Sequence, residues 1–392
     1  MAEARRRSRS SADRGHALAL ADAGIVVSGI GSTNYRRDYR SPDPDRNAVD
    51  LAADAFTEAV SDAGVDRASI DGLIAVRVNY ERMTDVLGLE NLRSVSSLEG
   101  AGRMAGVAVA DAAAAILTGQ ASTVAIVYGN DGRSRGERYG GDLGPETTAA
   151  YDAAQGMTSP GAYVAMMFRR HAHEFGTSQD ALATVAINNR RNAAMNPVAV
   201  LQDEFDLADY YASRPIAEPL RLLDYCLIND GGVALIVSAG PTGRPRSAYV
   251  RATSISVDIG NSYTSMDCFY EKSQVAARDL YASADVQPGE LDCLQIYDNF
   301  TPTALFTLEG FGFCPRGESG RWLLEGNLGP GALPANTSGG HTSESYMQGF
   351  GHLVESVRQA RGEAGTRQVP GCRTVGYFCL SPIVSGVIFE AG

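Results

Sequence analysis

Two stretches decide how this sequence folds: Ala63–Val76, AGVDRASIDGLIAV, and Ala284–Tyr297, ADVQPGELDCLQIY. They match without a gap in the spacing of their apolar positions, and each reads as the end of a helix, a turn and a strand. The surroundings match as well. Before the first lie a β-rich run, GIVVSGIGS (Gly24–Ser32), and a helical run in which Val49, Ala52, Ala53, Phe56, Ala59 and Val60 recur at helical spacing. Asn47 is its expected N-cap and Gly64 its stop. Before the second lie AYVRATSISV (Ala248–Val257), a strand, and SQVAARDLYASADV (Ser273–Val286), a helix. Beyond each, a small-residue helix runs into a β-rich strand: Glu99–Gln120 into TVAIVYG, and Tyr346–Gly365 into RTVGYFCLS.

Two copies of β-α-β-α-β therefore begin near residues 24 and 248. Alternation of this kind predicts an α/β fold, with parallel strands and helices packed on the sheet faces. The expected organisation is one half from 21–130 with 233–247, a second half from 248–392, and an inserted loop domain at 131–232. Residues 1–20 read as a mobile basic tail, whose four-residue ALAL patch is too short for a secretory signal. The insertion carries helical runs around Gly161–Gly176 and Gln179–Asn196, and its place between the halves suits a substrate cover. Ligands of α/β folds lie beyond the C-terminal ends of strands, here after Val127 and Tyr128, after Ile296 and Tyr297, and around Cys379–Ser381.

Composition narrows the function. At 392 residues and 41.4 kDa, with 44% hydrophobic and 20% charged residues, the chain is an ordinary globular one with room for a large core. A net charge of −12 argues against nucleic acid as a partner. Lys272 is the only lysine among 34 basic residues, which leaves one candidate for Schiff-base chemistry, away from the expected site. The six cysteines include no CxxC pair and read as reduced thiols. No apolar run reaches the ~18 residues of a membrane span, so a soluble, cytoplasmic protein is expected.

Several short patterns lead nowhere. Gly100-x-Gly102-x-x-x-Gly106 lacks the preceding hydrophobic strand and following acid of a dinucleotide loop, and reads as close helix packing. His171 and His173 diverge on a helix, so no metal site is expected. No Gly-x-Ser-x-Gly elbow exists. The run Asn188-Asn189-Arg190-Arg191 reads as a solvated helix face, with a polyphosphate contact as the alternative. The loop 336–343, rich in Gly, Ser and Thr, precedes a helix whose free amides favour a developing anion. Tyr346 sits there, and Tyr297 ends the preceding strand.

Four segments carry a family resemblance: PLRLLDYCLINDGG (Pro219–Gly232), YDNFTPTALFTLEGFGFC (Tyr297–Cys314), NTSGG (Asn336–Gly340) and RQARGEAGTRQVPG (Arg358–Gly371). The chain after residue 20 resembles the thiolase superfamily of the sterol-carrier-protein-x or lipid-transfer-protein type. The resemblance implies a thiolase-like fold: two pseudo-symmetric βαβαβ halves, an inserted loop domain and a homodimer. The chemistry departs from a thiolase. Gly100, Ala101 and Gly102 stand where the nucleophilic cysteine belongs, and no cysteine precedes Cys226. Tyr297-Asp298-Asn299-Phe300 replaces the family's histidine-led motif, and Ser345-Tyr346-Met347 replaces its Gly-His-Pro. Cys379-Leu380-Ser381-Pro382 keeps a cysteine but loses the glycines after it.

This pattern resembles the steroid side-chain-cleaving aldolases of the superfamily. That implies retro-aldol cleavage of a β-hydroxyacyl-CoA steroid side chain, giving a steroid ketone and a short acyl-CoA such as propionyl-CoA, with an OB-fold partner protein. Tyr297 and Tyr346 would share the base and acid roles, and the sequence leaves open which is which. Asp298, Asn299, His341 and Cys379 are the supporting candidates, and Asn189, Arg190 and Ser381 the candidate CoA contacts. No cofactor is expected, coenzyme A being part of the substrate. The alternatives are a degenerate acyltransferase using Cys379, and a non-catalytic acyl-CoA or lipid carrier or scaffold.

Overall fold

The computed structural model describes residues 16–20, 22–99, 102–138, 154–240, 247–258 and 265–392. Its strands are β1 His16–Ala19, β2 Ile25–Ser32, β3 Gly72–Val76, β4 Ser94–Leu98, β5 Thr123–Asn130, β6 Pro215–Ala217, β7 Leu220–Arg221, β8 Gly231–Ala239, β9 Ala248–Val257, β10 Cys293–Ile296, β11 Thr374–Cys379 and β12 Ile383–Ala391. All but the small β6–β7 pair join one sheet, ordered β10-β11-β12-β9-β2-β8-β5-β3-β4, with β1 on β9. The two halves meet where β2 pairs antiparallel with β9, at Val26–Tyr249 and Val27–Ala248. Outward from that seam the order is the same in both directions, so the sheet shows the pseudo-symmetry that the repeat predicts. One difference remains: β4 has its place taken on the other side by a single bridge, Leu294 to Ala335.

The expected parallel pairing holds for β3 with β4 and β5, and for β10 with β11. It fails nearer the seam. The last strand of each half, β8 or β12, inserts antiparallel beside the first, so the sheet is mixed. Residues 16–19 also correct the expected tail. They pair with Ile255–Ala252, along the stretch of β9 that lies beyond its short pairing with β2. Residues 1–15 of that tail lie outside the described residues.

The helix Ala48–Ala63 begins on the expected cap: Asn47 Oδ1 accepts from the Val49 amide at 2.9 Å, and Asp50 closes a capping box. Gly64 ends it in the left-handed region, at φ 64°. Gly29 and Gly31 of β2 let this helix lie directly on the sheet, since a Cβ at either would strike the Ala59 or Ala55 carbonyl. Two further helices, Ala105–Leu117 and Phe350–Arg361, share one core with strands of both halves. Alanine along the first, and Leu353, Val354, Val357 and Ala360 along the second, allow that close packing. The two long described helices of the insertion, Pro160–Phe175 and Asp180–Ala194, pack with Thr301–Gly310 and Tyr270–Ala284 in a second core. Lys272 lies in the first turn of Tyr270–Ala284, which starts three residues earlier than expected.

One charged residue fastens the halves together. Arg361 is fully buried; its guanidinium donates to the Val27 carbonyl at 2.7 Å and to Asp62 Oδ2 at 2.8 Å. The Val27 carbonyl is buried and, deprived of its donor, pays a desolvation penalty, whereas the Asp62 carboxylate is half-buried and pays less. Arg361→Met should therefore lose about 2 kcal/mol of stability, read as a lower urea midpoint; an unchanged midpoint would show that the pair is not needed.

Candidate active site

The site is assembled at the end of β10. There Asn336 of the NTSGG loop adopts φ 50° and grips the strand like a neighbouring residue of the sheet. Its Oδ1 accepts from the Ile296 amide at 2.7 Å and its Nδ2 donates to the Ile296 carbonyl at 3.0 Å. The next amide, of Tyr297, donates to the Phe378 carbonyl of β11 at 2.8 Å. Tyr297 is thus held from both sides before its side chain leaves the sheet.

Its hydroxyl lies 3.0 Å from that of Tyr346, so the structure joins the two sequence-predicted tyrosines by a hydrogen bond. Tyr297 is only 2% exposed, whereas Tyr346 is partly open. The Tyr346 amide donates to Asn229 Oδ1 at 2.7 Å, which anchors it to the segment entering β8. Gly102 covers the pair at φ 73°: a Cβ there would strike the Tyr297 hydroxyl and come within 2.9 Å of the Tyr346 hydroxyl. Gly100 and Ala101 lie outside the described residues. Burial pushes the Tyr297 phenol well above its usual range, and the neighbouring Tyr346 adds to that.

Beside the phenols is a buried polar cluster. Asp298 is fully enclosed and collects donors from three elements. Asn189 Nδ2 donates to its Oδ2 at 2.6 Å, and the His341 amide donates to its Oδ1 at 2.9 Å. His352 Nε2 lies 3.0 Å from that same Oδ1. The His341 ring stands edge-on to both phenols, with centroids 4.7 Å from Tyr297 and 5.0 Å from Tyr346. Its Nε2 accepts from the Gly349 amide at 2.9 Å, and its Nδ1 faces Asp298 Oδ1 at 3.5 Å. Burial, reinforced by His352, holds the His341 pKa well below the usual imidazole range, so this ring is neutral.

Asp298, His341 and His352 bring potential metal-ligand atoms within 4.8 Å of one another. Proton accounting fits hydrogen bonding better than a metal. Nε2 of His341 spends its lone pair on Gly349, so the proton of the neutral ring sits on Nδ1. A metal at Nδ1 would require an imidazolate.

Other sequence candidates fall elsewhere. Asn299 Oδ1 accepts from Phe300 N and Thr303 Oγ1, each at 3.1 Å, and so serves the start of Thr301–Gly310. Asn189, 1% exposed, is part of the Asp298 cluster and faces no solvent groove. Arg190 donates to Ser343 Oγ at 3.0 Å and the Asp203 carbonyl at 2.9 Å, with its guanidinium over the Phe205 ring; burial lowers its pKa. It braces the 340–344 turn. The solvated-face reading of Asn188–Arg191 is thereby corrected for its first three residues, which are buried because the C-terminal half packs over them. Ser381 Oγ donates to the Ile383 carbonyl at 2.7 Å and organises the turn into β12. Cys379 is fully buried, and burial pushes its thiol up to about 12, far from a thiolate nucleophile. His171 is buried against Glu309 at 2.9 Å while His173 is exposed, so the two rings diverge as expected.

The sequence did not point to His352 or Gly349. Their one signal was position: both lie at the start of the helix that follows Tyr346.

Residues 256–377 match the family described as "Thiolase C-terminal domain-like". A steroid side-chain-cleaving aldolase from Thermomonospora curvata is 33% identical over 368 residues, covering 88% of this chain and 92% of that protein. A 17-hydroxy-3-oxo-4-pregnene-20-carboxyl-CoA lyase from Mycobacterium tuberculosis is 31% identical, covering 86% and 91%. The solved Ltp2-ChsH2(DUF35) aldolase superposes with a TM-score of 0.84 at 30% identity, covering 94% of this chain and 98% of that one. With the same fold and near full-length similarity, the chain belongs to the thiolase superfamily, in the family of the steroid side-chain-cleaving aldolases.

Proposed function

We propose that the chain is an aldolase that cleaves the side chain of a β-hydroxyacyl-CoA steroid, releasing a steroid ketone and a short acyl-CoA such as propionyl-CoA. The observation that carries this reading is the Tyr297–Tyr346 hydroxyl pair, 3.0 Å apart under Gly102. The carbon–carbon bond between the α and β carbons breaks. Its electron pair passes to the thioester enolate, and the β-oxygen becomes the ketone. The hydroxyl proton leaves the β-oxygen, and one proton must reach the α carbon. Two phenols in hydrogen-bond contact achieve this as a relay: the first accepts the substrate proton while passing its own to the second, which protonates the α carbon. No net charge forms on the enzyme. That suits groups whose burial opposes ionisation.

The relay needs neither metal nor cofactor, coenzyme A entering as part of the substrate. The acyltransferase alternative requires a thiolate at Cys379, which burial opposes. A carrier needs no particular residue at Tyr297 or Tyr346. The partner is read as an OB-fold protein bound to a homodimer; the DUF35 component of the solved Ltp2-ChsH2(DUF35) aldolase supports a partner. Among the described residues no helix is long and apolar enough to cross a membrane, which is compatible with the cytoplasmic location this reading assigns.

Tyr297→Phe and Tyr346→Phe should each keep their melting temperature and lose at least ~10²-fold in turnover of a β-hydroxyacyl-CoA steroid; full turnover in both would remove the assignment. Cys379→Ser should remain within about threefold of the parent, a buried thiol contributing packing rather than nucleophilicity. A thiolase-like acyl transfer would instead disappear with it.

The pH profile distinguishes relay from phenolate base. Because Tyr297 is shifted upward, its neutral form persists from acid through the neutral range, and raising the pH gains no active species until the phenol itself ionises. Between about pH 7 and about pH 9.5, below the ordinary tyrosine range, kcat/KM should show no tenfold-per-unit rise. Such a rise would identify a preformed phenolate.

A further inference from the structure

We propose that His352 is a positioning residue of this aldolase: through Asp298 and through ring contact it fixes the tilt of His341, whose tautomer the Gly349 amide sets, and His341 in turn fixes the separation of the two phenols. The inference rests on the aldolase reading for its kinetic consequence and on geometry alone for its structural one.

The chain of contacts is short. His352 lies on the helix Phe350–Arg361, not on the loop that carries the site. Its Nε2 lies 3.0 Å from Asp298 Oδ1, and both residues are at most 1% exposed. That oxygen is shared with the His341 amide at 2.9 Å and lies 3.5 Å from His341 Nδ1. Asp298 is therefore the hinge between the helix and the His341 turn. The two imidazoles are also in ring contact, with centroids 4.2 Å apart, so a change at His352 has little room to relax without moving His341. His341 meets both phenols edge-on at steep interplanar angles, 79° to Tyr297 and 84° to Tyr346. A wedge in contact with both rings sets how far apart their hydroxyls sit.

The tautomer matters because His341 has a single proton to place. Gly349 donates to Nε2, which leaves that proton on Nδ1, facing Asp298. With its Nε2 lone pair taken by Gly349 and its proton on Nδ1, 3.5 Å from Asp298 Oδ1, His341 has no free lone pair for a substrate proton. It acts as a spacer, and base duty stays with the tyrosines. Without the donor at His352, Asp298 Oδ1 would lose one of its partners and draw on His341, shifting the ring that separates the phenols.

The test uses the full chain. In NMR of isotope-labelled histidine, with His341 assigned from a His341 variant, wild type should show His341 protonated on Nδ1. His352→Leu should lower kcat by ~10- to 10²-fold, the scale of a small misplacement of reacting groups, with KM within about twofold. His352→Gln, whose amide can still donate to Asp298, should recover most of kcat and keep the Nδ1 tautomer. A general loss of stability would depress both variants without that rescue. The proposal is overturned if His341 is protonated on Nε2, if the Leu and Gln variants have equal kcat, or if wild type binds one equivalent of zinc that the Leu variant does not. Should the Leu variant fail to fold, His352→Asn, whose shorter amide does not reach Asp298, takes its place in the kcat comparison with Gln. If wild type cleaves no β-hydroxyacyl-CoA while His341 is protonated on Nδ1, the aldolase reading fails and the structural part of the proposal stands.

Discussion

A carboxylate removed from water must be met by donors, and Asp298 collects them from three separate elements. Asn189 comes from the inserted helix Asp180–Ala194, the His341 amide from the 340–344 turn, and the His352 ring from the helix Phe350–Arg361. Leaving any one unmade would expose the charge to an apolar surround, at a cost of several kcal/mol by the usual scale for buried ions. The requirement explains why the insertion docks on the C-terminal half, and why the loop between Asn336 and Tyr346 takes one course. Tyr297 is the residue before Asp298, so the same constraint that satisfies the charge also aims the phenol.

The repeat of apolar spacing made the two halves legible, because strand and helix periodicity is local information. It could not show that β8 and β12 insert antiparallel beside β2 and β9. Pairing order is decided by which edges remain open once the helices have packed, and no window of sequence holds that. The short strand at His16–Ala19 was hidden for a related reason: its partner, β9, is more than two hundred residues away.

At the site, Tyr297 and Tyr346 were legible because they replace residues with known duties in a related family, in segments with no other reason to carry tyrosine. Asn189 and Arg190 were misplaced because polar residues on a helix read as solvated until something is known to cover them. Here the Asp298 carboxylate and the Ser343 hydroxyl cover them. His352 is not legible because it sits in a regular helix with other polar residues, Glu355, Ser356 and Gln359 among them, so that a buried one has no distinguishing signal. Gly102 was noted as an absent cysteine. Its positive role, leaving room for two hydroxyls, is a fact of three-dimensional packing.

These placements bear on why phenols serve where an imidazole and a thiol would act in a related enzyme. A thiolase-type mechanism separates charge between thiolate and imidazolium, and both need electrostatic support. Here Cys379 has its thiol pushed up by burial, and the imidazole beside the phenols is held neutral with its Nε2 lone pair taken by the Gly349 amide. Such surroundings penalise any step that creates a charge on the protein. Retro-aldol cleavage demands none, since the proton that leaves oxygen can be replaced at carbon by another from the same relay. Two neutral phenols in contact can exchange protons without either becoming an ion for longer than the transfer itself. Under the proposed relay, the burial that opposes a thiolate at Cys379 is no obstacle to transfer between neutral phenols, and Gly102 leaves room for both hydroxyls.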